Sequence, residues 1–103
     1  MSYHCYTLAV VLVTELLWDE YNEAHIARHA VTTTEVEDVV FDQATRWEVH
    51  TSHRRERLVA LGPTSSGRLP FVVCEMPAAT GTSVCVTARP ATNREQRLYQ
   101  GRT

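Results

Sequence analysis

Apolar and polar positions along this chain change their period twice. From Thr7 to Thr14 the run T-L-A-V-V-L-V-T is almost wholly apolar and reads as a buried strand. Leu16, Leu17 and Trp18 end that region, and Asp19 is placed to N-cap a helix opening Glu20-Tyr21-Asn22-Glu23. Acids in its first turn and Arg28-His29 in its last suit the helix dipole. Trp18, Tyr21 and Ala24 are expected to form its apolar edge, with Ile26 off the stripe. Thr32-x-x-Glu35 is a capping box for a second helix, and Val31 and Val36 stand at hydrophobic-staple positions. Val36, Val39 and Val40 then recur at i, i+3, i+4 before Phe41-Asp42. Ala30-Val31 leaves room only for a tight corner between the helices.

From Ala44 the period becomes two. Trp47 and Val49 fall on one face of a predicted strand, and Arg46, Glu48 and His50 on the other. A polar connection, 51–55, leads into Glu56-Arg57-Leu58-Val59-Ala60-Leu61-Gly62, and Pro63 to Gly67 is a turn on composition. Arg68 to Met76 is the next strand, and its Pro70, which offers no N–H to a ladder, belongs at a strand start or an edge. Pro77 to Gly81 closes a second hairpin into Ser83–Arg89. Thr92-x-x-Glu95 then caps a last helix carrying Arg94, Arg97, Leu98 and Tyr99, with Gly101 placed to end it in a left-handed turn. The expected fold is α+β: two helices, then three or four antiparallel strands and a C-terminal helix, with an extra apolar strand in front.

Composition adds limits. One domain spanning 1–103 is expected. Mean hydropathy is −0.23, and no 18-residue apolar run is present to serve as a membrane span. Cys5, Cys74 and Cys85 are odd in number and form no C-x-x-C, so buried free thiols and a reducing cytoplasm are expected, with neither zinc site nor disulfide framework. His25 and His29 are spaced i, i+4 but lack an evident third ligand, so neither a metal nor any other cofactor is expected. The net charge of −2 hides a division. Residues 1–43 hold eight acids and one arginine, whereas residues 44–103 hold nine arginines and four acids. There is no lysine, so every fixed side-chain cation is a guanidinium, the better bidentate partner of phosphate. A basic face for an anionic partner is expected.

If the strands pair as a meander, His50, His53, Arg54, Arg55, Glu56, Arg57, Arg89, Arg94 and Arg97 can converge. Cleavage of RNA by its own 2′-hydroxyl needs a base, cationic donors for the charge growing on phosphorus-bound oxygens, and an acid for the leaving 5′-oxygen. Glu56 or a histidine suits proton transfer, Arg57 and Arg89 suit the phosphate, and Trp47 or Tyr99 suits a stacked base. Exposed arginines beside acids are also ordinary surface ion pairs, and Trp47 suits a core equally well.

Five segments, in order, resemble the BrnT toxin family. They are W-D-E-x-N at Trp18–Asn22, R-H-x-V-T at Arg28–Thr32, V-F-D at Val40–Asp42, E-R-L-V-A-L-G at Glu56–Gly62, and A-R-P-A-T-N-R-E-Q-R-L-Y at Ala88–Tyr99. After the R/K–H pair the family often has glycine, where this chain has Ala30, and family members commonly start near the W-D-E, so that the resemblance makes 1–15 an apparent N-terminal extension. The resemblance implies a RelE-like fold and an endoribonuclease that stalls translation. It also implies a BrnA antitoxin with a ribbon-helix-helix domain, which blocks the toxin and reaches operator DNA on its behalf. The family's charged positions fall on His29, Glu56, Arg57, Arg89, Arg94 and Glu95. The resulting expectation is a cytoplasmic toxin that cuts RNA either free or on the ribosome, with Arg57 and Arg89 on the phosphate and Glu56 or His53 moving protons. Arg55, Arg94, Arg97 and Trp47 would bind RNA. The rival expectations are a non-catalytic, antitoxin-binding relic and a plain α+β homodimer. The mechanism requires Arg57 and Arg89 to meet over one face of the sheet, without each being already locked against a buried carboxylate.

Overall fold

The computed structural model describes residues 13–42 and 44–101, and the apolar run over 7–14 lies almost wholly outside them. Among the described residues, three helices and a five-stranded mixed sheet make an α+β structure. The strands are β1 (Glu15–Leu17), β2 (Arg46–Ser52), β3 (Arg55–Leu61), β4 (Pro70–Glu75) and β5 (Thr82–Pro90). The helices are α1 (Glu20–Ala27), α2 (Thr33–Val40) and α3 (Asn93–Gln100). Sheet order is β1-β5-β4-β3-β2. The last four strands form the antiparallel meander that alternation predicts, and β1 adds a short parallel edge against Thr82–Val84.

Each helix opens on a reciprocal cap. Thr32 with Glu35 and Thr92 with Glu95 form the two predicted boxes, and Asp19 pairs with Asn22 in the same way at the start of α1. Two local expectations are corrected. In α1 the core-facing residues are Asn22 and Ile26, while Tyr21 is exposed. The Asn22 side chain bonds Asp19 N and donates to the Leu17 carbonyl, which turns that side of the helix toward β1 and carries Ile26, one turn on, inward. Gly101 does not adopt a left-handed conformation: its φ is −68° and it continues the helical turn.

The core lies between the sheet and α1–α2. Ile26, Val31, Val36, Val39 and Val40 meet Leu58, Ala60, Val72, Cys74, Cys85 and Ala88. Cys74 and Cys85 are opposite each other on β4 and β5, both buried and both free thiols. Between the helices Ala30 is left-handed, with φ 61°. Arg68, from the loop before β4, donates to its carbonyl at 2.8 Å and pairs with Glu35, tying that corner to the sheet. Arg68 is therefore a structural arginine on the helix side. Gly62 follows β3 where Thr45 approaches so closely that a Cβ would overlap its side chain. No helix among the described residues is long and apolar enough to cross a membrane.

Candidate functional site

Pairing register assigns alternate residues to two faces. The helix-side face takes Trp47, Val49, Glu56, Leu58, Ala60 and Val72, and the open face takes Arg46, Glu48, His50, Arg57, Val59, Phe71 and Arg89. Arg57 and Arg89 thus share the open face, as the phosphate-binding expectation required. They do not converge on one point. Arg57 stands opposite Glu75 and Arg89 opposite Phe71, with β4 between their strands. Strand rise and spacing separate their Cα atoms by roughly 16 Å.

Two depressions occupy this face. One, of about 330 Å³, lies between α3 and the sheet, with Val59, Leu61 and Phe71 among its apolar lining and Arg46, Arg94 and Glu95 among its charged groups. The other, of about 660 Å³, lies toward the β2–β3 hairpin and is lined by His50, His53, Arg55 and Arg57 beside Val73 and Thr87. His50, Val59 and Phe71 line both, so the two form one groove, apolar and charge-balanced under α3 and cationic at the hairpin.

The hairpin explains the density of cations at the second end. The polar connection expected over 51–55 is only a two-residue turn, because the strands continue to Ser52 and resume at Arg55. His53 and Arg54 both take positive φ, 52° and 64°, the left-handed pair that matches a right-handed strand twist. Asn-Gly would adopt this without strain, whereas His and Arg each cost roughly 1 kcal/mol. Tightening the turn brings His53, Arg55 and Arg57 against His50 along one rim.

At the other end α3 crosses the open face with no buried residue of its own. Polar links hold it there. Tyr99 Oη donates to the Ala44 carbonyl at 2.8 Å, Arg46 reaches the Leu98 carbonyl at 3.3 Å, and Arg89 pairs bidentately with Glu95 at 2.8 and 2.9 Å. The Arg89 guanidinium also lies 4.2 Å from the centre of the Phe71 ring. The hydrogen bonds from Arg89 hold the Glu95 carboxyl below its ordinary value against an opposing effect of burial. The same pairing raises Arg89. Arg57 is held less firmly: its Nε is 3.0 Å from Glu75 Oε2 yet out of line for a hydrogen bond, an ionic contact with a half-exposed partner.

The remaining expected site residues separate. His53 and Arg55 line the cationic end and Arg94 the apolar one. Arg97 is exposed on α3 and lines neither. Glu56 falls on the helix-side face, because consecutive strand residues point oppositely, so it is parted from the groove that Arg57 faces. Trp47 is on the helix side too, half-buried against the core, and offers no ring to the groove. Phe71 is the aromatic ring that the groove contains. Beside it, Glu48 bridges Arg46 at 2.6 Å and His50 at 2.9 Å. The row R-x-E-x-H was visible as one strand face, but its closeness to Arg57 depended on pairing. His25 and His29 sit edge to face, 5.7 Å apart, and His25 bonds Thr87 Oγ1 at 3.2 Å.

No family model and no curated protein matches the chain. The resemblance to the BrnT toxins therefore rests on the five sequence segments alone.

Proposed function

We propose that the protein is the toxin of a type II toxin–antitoxin pair, an endoribonuclease that stalls translation by cutting RNA in the open-face groove and is neutralised by a BrnA-like antitoxin. The observation that carries this reading is the groove: the guanidinium groups of Arg55 and Arg57 at its hairpin end, beside an apolar floor of Val59, Leu61 and Phe71 that fits a nucleobase, with Arg89 against Phe71 on the same sheet face but outside the lining. The separation of Arg57 from Arg89 fits two phosphates of one strand better than a clamp on one. Arg57, with Arg55 and His53, takes the phosphate at the hairpin end, and Arg89 takes another beside Phe71. Glu56 has no part in this arrangement, nor has Trp47.

Two positions in the motifs support the RelE-like, BrnT-like reading. Ala30 occupies a left-handed conformation where the family often has glycine. Gly62, last residue of E-R-L-V-A-L-G, sits at a contact that excludes a Cβ. Both residue preferences acquire a steric cause.

The deciding experiment is expression in a bacterial host with and without a co-expressed BrnA-like antitoxin. Wild type is expected to arrest growth and fragment RNA, the antitoxin to relieve arrest, and an Arg57→Ala/Arg89→Ala double variant to be harmless while still folded. Unimpaired growth with wild type, or equal arrest with the double variant, would overturn the reading. A second reading has one observation behind it: both arginines already carry carboxylate partners. Tight antitoxin binding by protein that leaves RNA intact would make the molecule a non-catalytic binding module.

A further inference from the structure

Granting the ribonuclease reading on which it rests, we infer that His50 is the general base of the reaction and that Glu48 is its positioning residue. Neither half of this pair belongs to the core. The His50 and Glu48 side chains are 49 % and 44 % exposed, and exposed ion pairs of this kind contribute little stability. Their placement is specific nonetheless. His50 is directly opposite Arg57 in the β2–β3 ladder and lines both halves of the groove. It is the titratable ring at the junction between the apolar floor and the cationic end.

Glu48 fixes how that ring works. Glu48 Oε1 lies 2.9 Å from His50 Nε2, while Arg46 holds Oε2 at 2.6 Å. Arg46 is itself anchored to the Leu98 carbonyl of α3. A carboxylate accepting from Nε2–H selects the tautomer whose Nδ1 carries a lone pair, and it stabilises the imidazolium formed when that lone pair takes a proton. The His50 hydrogen bond, with Arg46 assisting, also holds the Glu48 carboxyl below its ordinary value, so it stays ionised where histidine titrates. The other charges around the ring are Arg57 with its partner Glu75, then His53 and Arg55 from the hairpin, and Arg94 with Glu95 from α3. Cations opposite the ring place a phosphate beside it.

The step is balanced without a cofactor. Nδ1 takes the proton of the 2′-hydroxyl as O2′ bonds to phosphorus, and the P–O5′ bond breaks. O5′ departs with a proton from water, and the resulting hydroxide takes the proton from the imidazolium. The products are a 2′,3′-cyclic phosphate and a 5′-hydroxyl end.

Single-turnover cleavage of a short RNA across pH 5–9 tests this, with binding measured separately on an oligonucleotide carrying 2′-deoxyribose at the cleaved position. His50→Gln is expected to lose 10²- to 10⁴-fold in rate with binding within twofold of wild type. A 5′-phosphorothiolate leaving group, which departs without a proton, is expected not to restore it. Glu48→Gln is expected to lose tenfold or more and to change the pH profile, and Glu48→Asp to recover part of the rate. Circular dichroism establishes that each variant is folded, and His50→Asn serves if His50→Gln is not. Cleavage by His50→Gln within threefold of wild type overturns the base assignment and leaves the ribonuclease reading standing. Rescue by the sulfur leaving group also overturns it, making His50 the acid. Wild-type protein that leaves RNA whole removes the ribonuclease reading and the base together.

Discussion

The two faces of the sheet are made from the same strands by alternate residues, yet they obey different rules. On the helix side Leu58, Ala60, Val72 and Ala88 are wholly buried, and the side chains hold one another by contact alone. On the open side Glu48, His50 and Glu75 are half-exposed, Arg57 is more covered, and all four are held by charge. One face is where the chain obtains its stability through removal of apolar surface from water. The other buries less, chiefly Val59 and Leu61, so around them it can carry groups whose arrangement suits a ligand. The difference explains why neighbouring residues such as Arg57 and Leu58 should respond so differently to change.

The largest contrast is expected there. Leu58→Ala removes a fully buried side chain and should lower unfolding free energy by about 2–5 kcal/mol. Arg57→Ala should change it by less than about 1 kcal/mol and, on the proposed function, weaken RNA binding about tenfold and reduce its salt slope by about one phosphate. Urea titrations beside binding at several salt concentrations measure both. Equal stability losses would erase the division between the faces. A smaller core-side effect concerns Gly62: a methyl group there must displace Thr45, and Gly62→Ala should destabilise by about 1–3 kcal/mol in the same titration.

Acid should loosen the open side first. Glu95 has its folded pKa depressed below 4.5 by Arg89. Its contribution is therefore complete above the unfolded pKa and is lost as pH falls through the folded one. Melting temperature should fall more steeply below about pH 4.5 in wild type than in Glu95→Gln, with α3 amides losing exchange protection early. Parallel curves would detach α3 from that ion pair. The gentlest change is Ala30→Gly. Relief of a left-handed alanine, offset by the greater freedom of unfolded glycine, should leave a gain of about 0.5–1 kcal/mol. Thiol labelling sharpens the other side: a hydrogen bond with Cys85, together with burial, raises Cys74 well above its ordinary value. Peptide mapping after alkylation should find Cys74 and Cys85 modified only once the chain unfolds.

Much of the architecture was readable from local chemistry, because caps, periods and turn residues act over three or four positions. The Thr32 and Thr92 boxes, the Val36–Val39–Val40 stripe and the separation of Trp47 and Val49 from Arg46, Glu48 and His50 all depend on nothing further away. Ile26 was misread because the face that α1 buries is set by its join to β1 rather than by its own pattern. The hairpin was overestimated in length because His53-Arg54 lacks the Asn-Gly chemistry that marks a two-residue turn.

What the sequence by itself determined was which side chains share a strand face and where each helix starts, since both follow from bond geometry within a few residues. Only the tertiary structure decided which strand lies beside which, and with it the partners of each guanidinium. That is why Arg57 came to lie with His50 and not with Glu56, and why Arg89 came to lie between Phe71 and Glu95. Register is a long-range choice made by the burial of Leu58, Val72 and Ala88 on one face, and the open face inherits its arrangement from that packing.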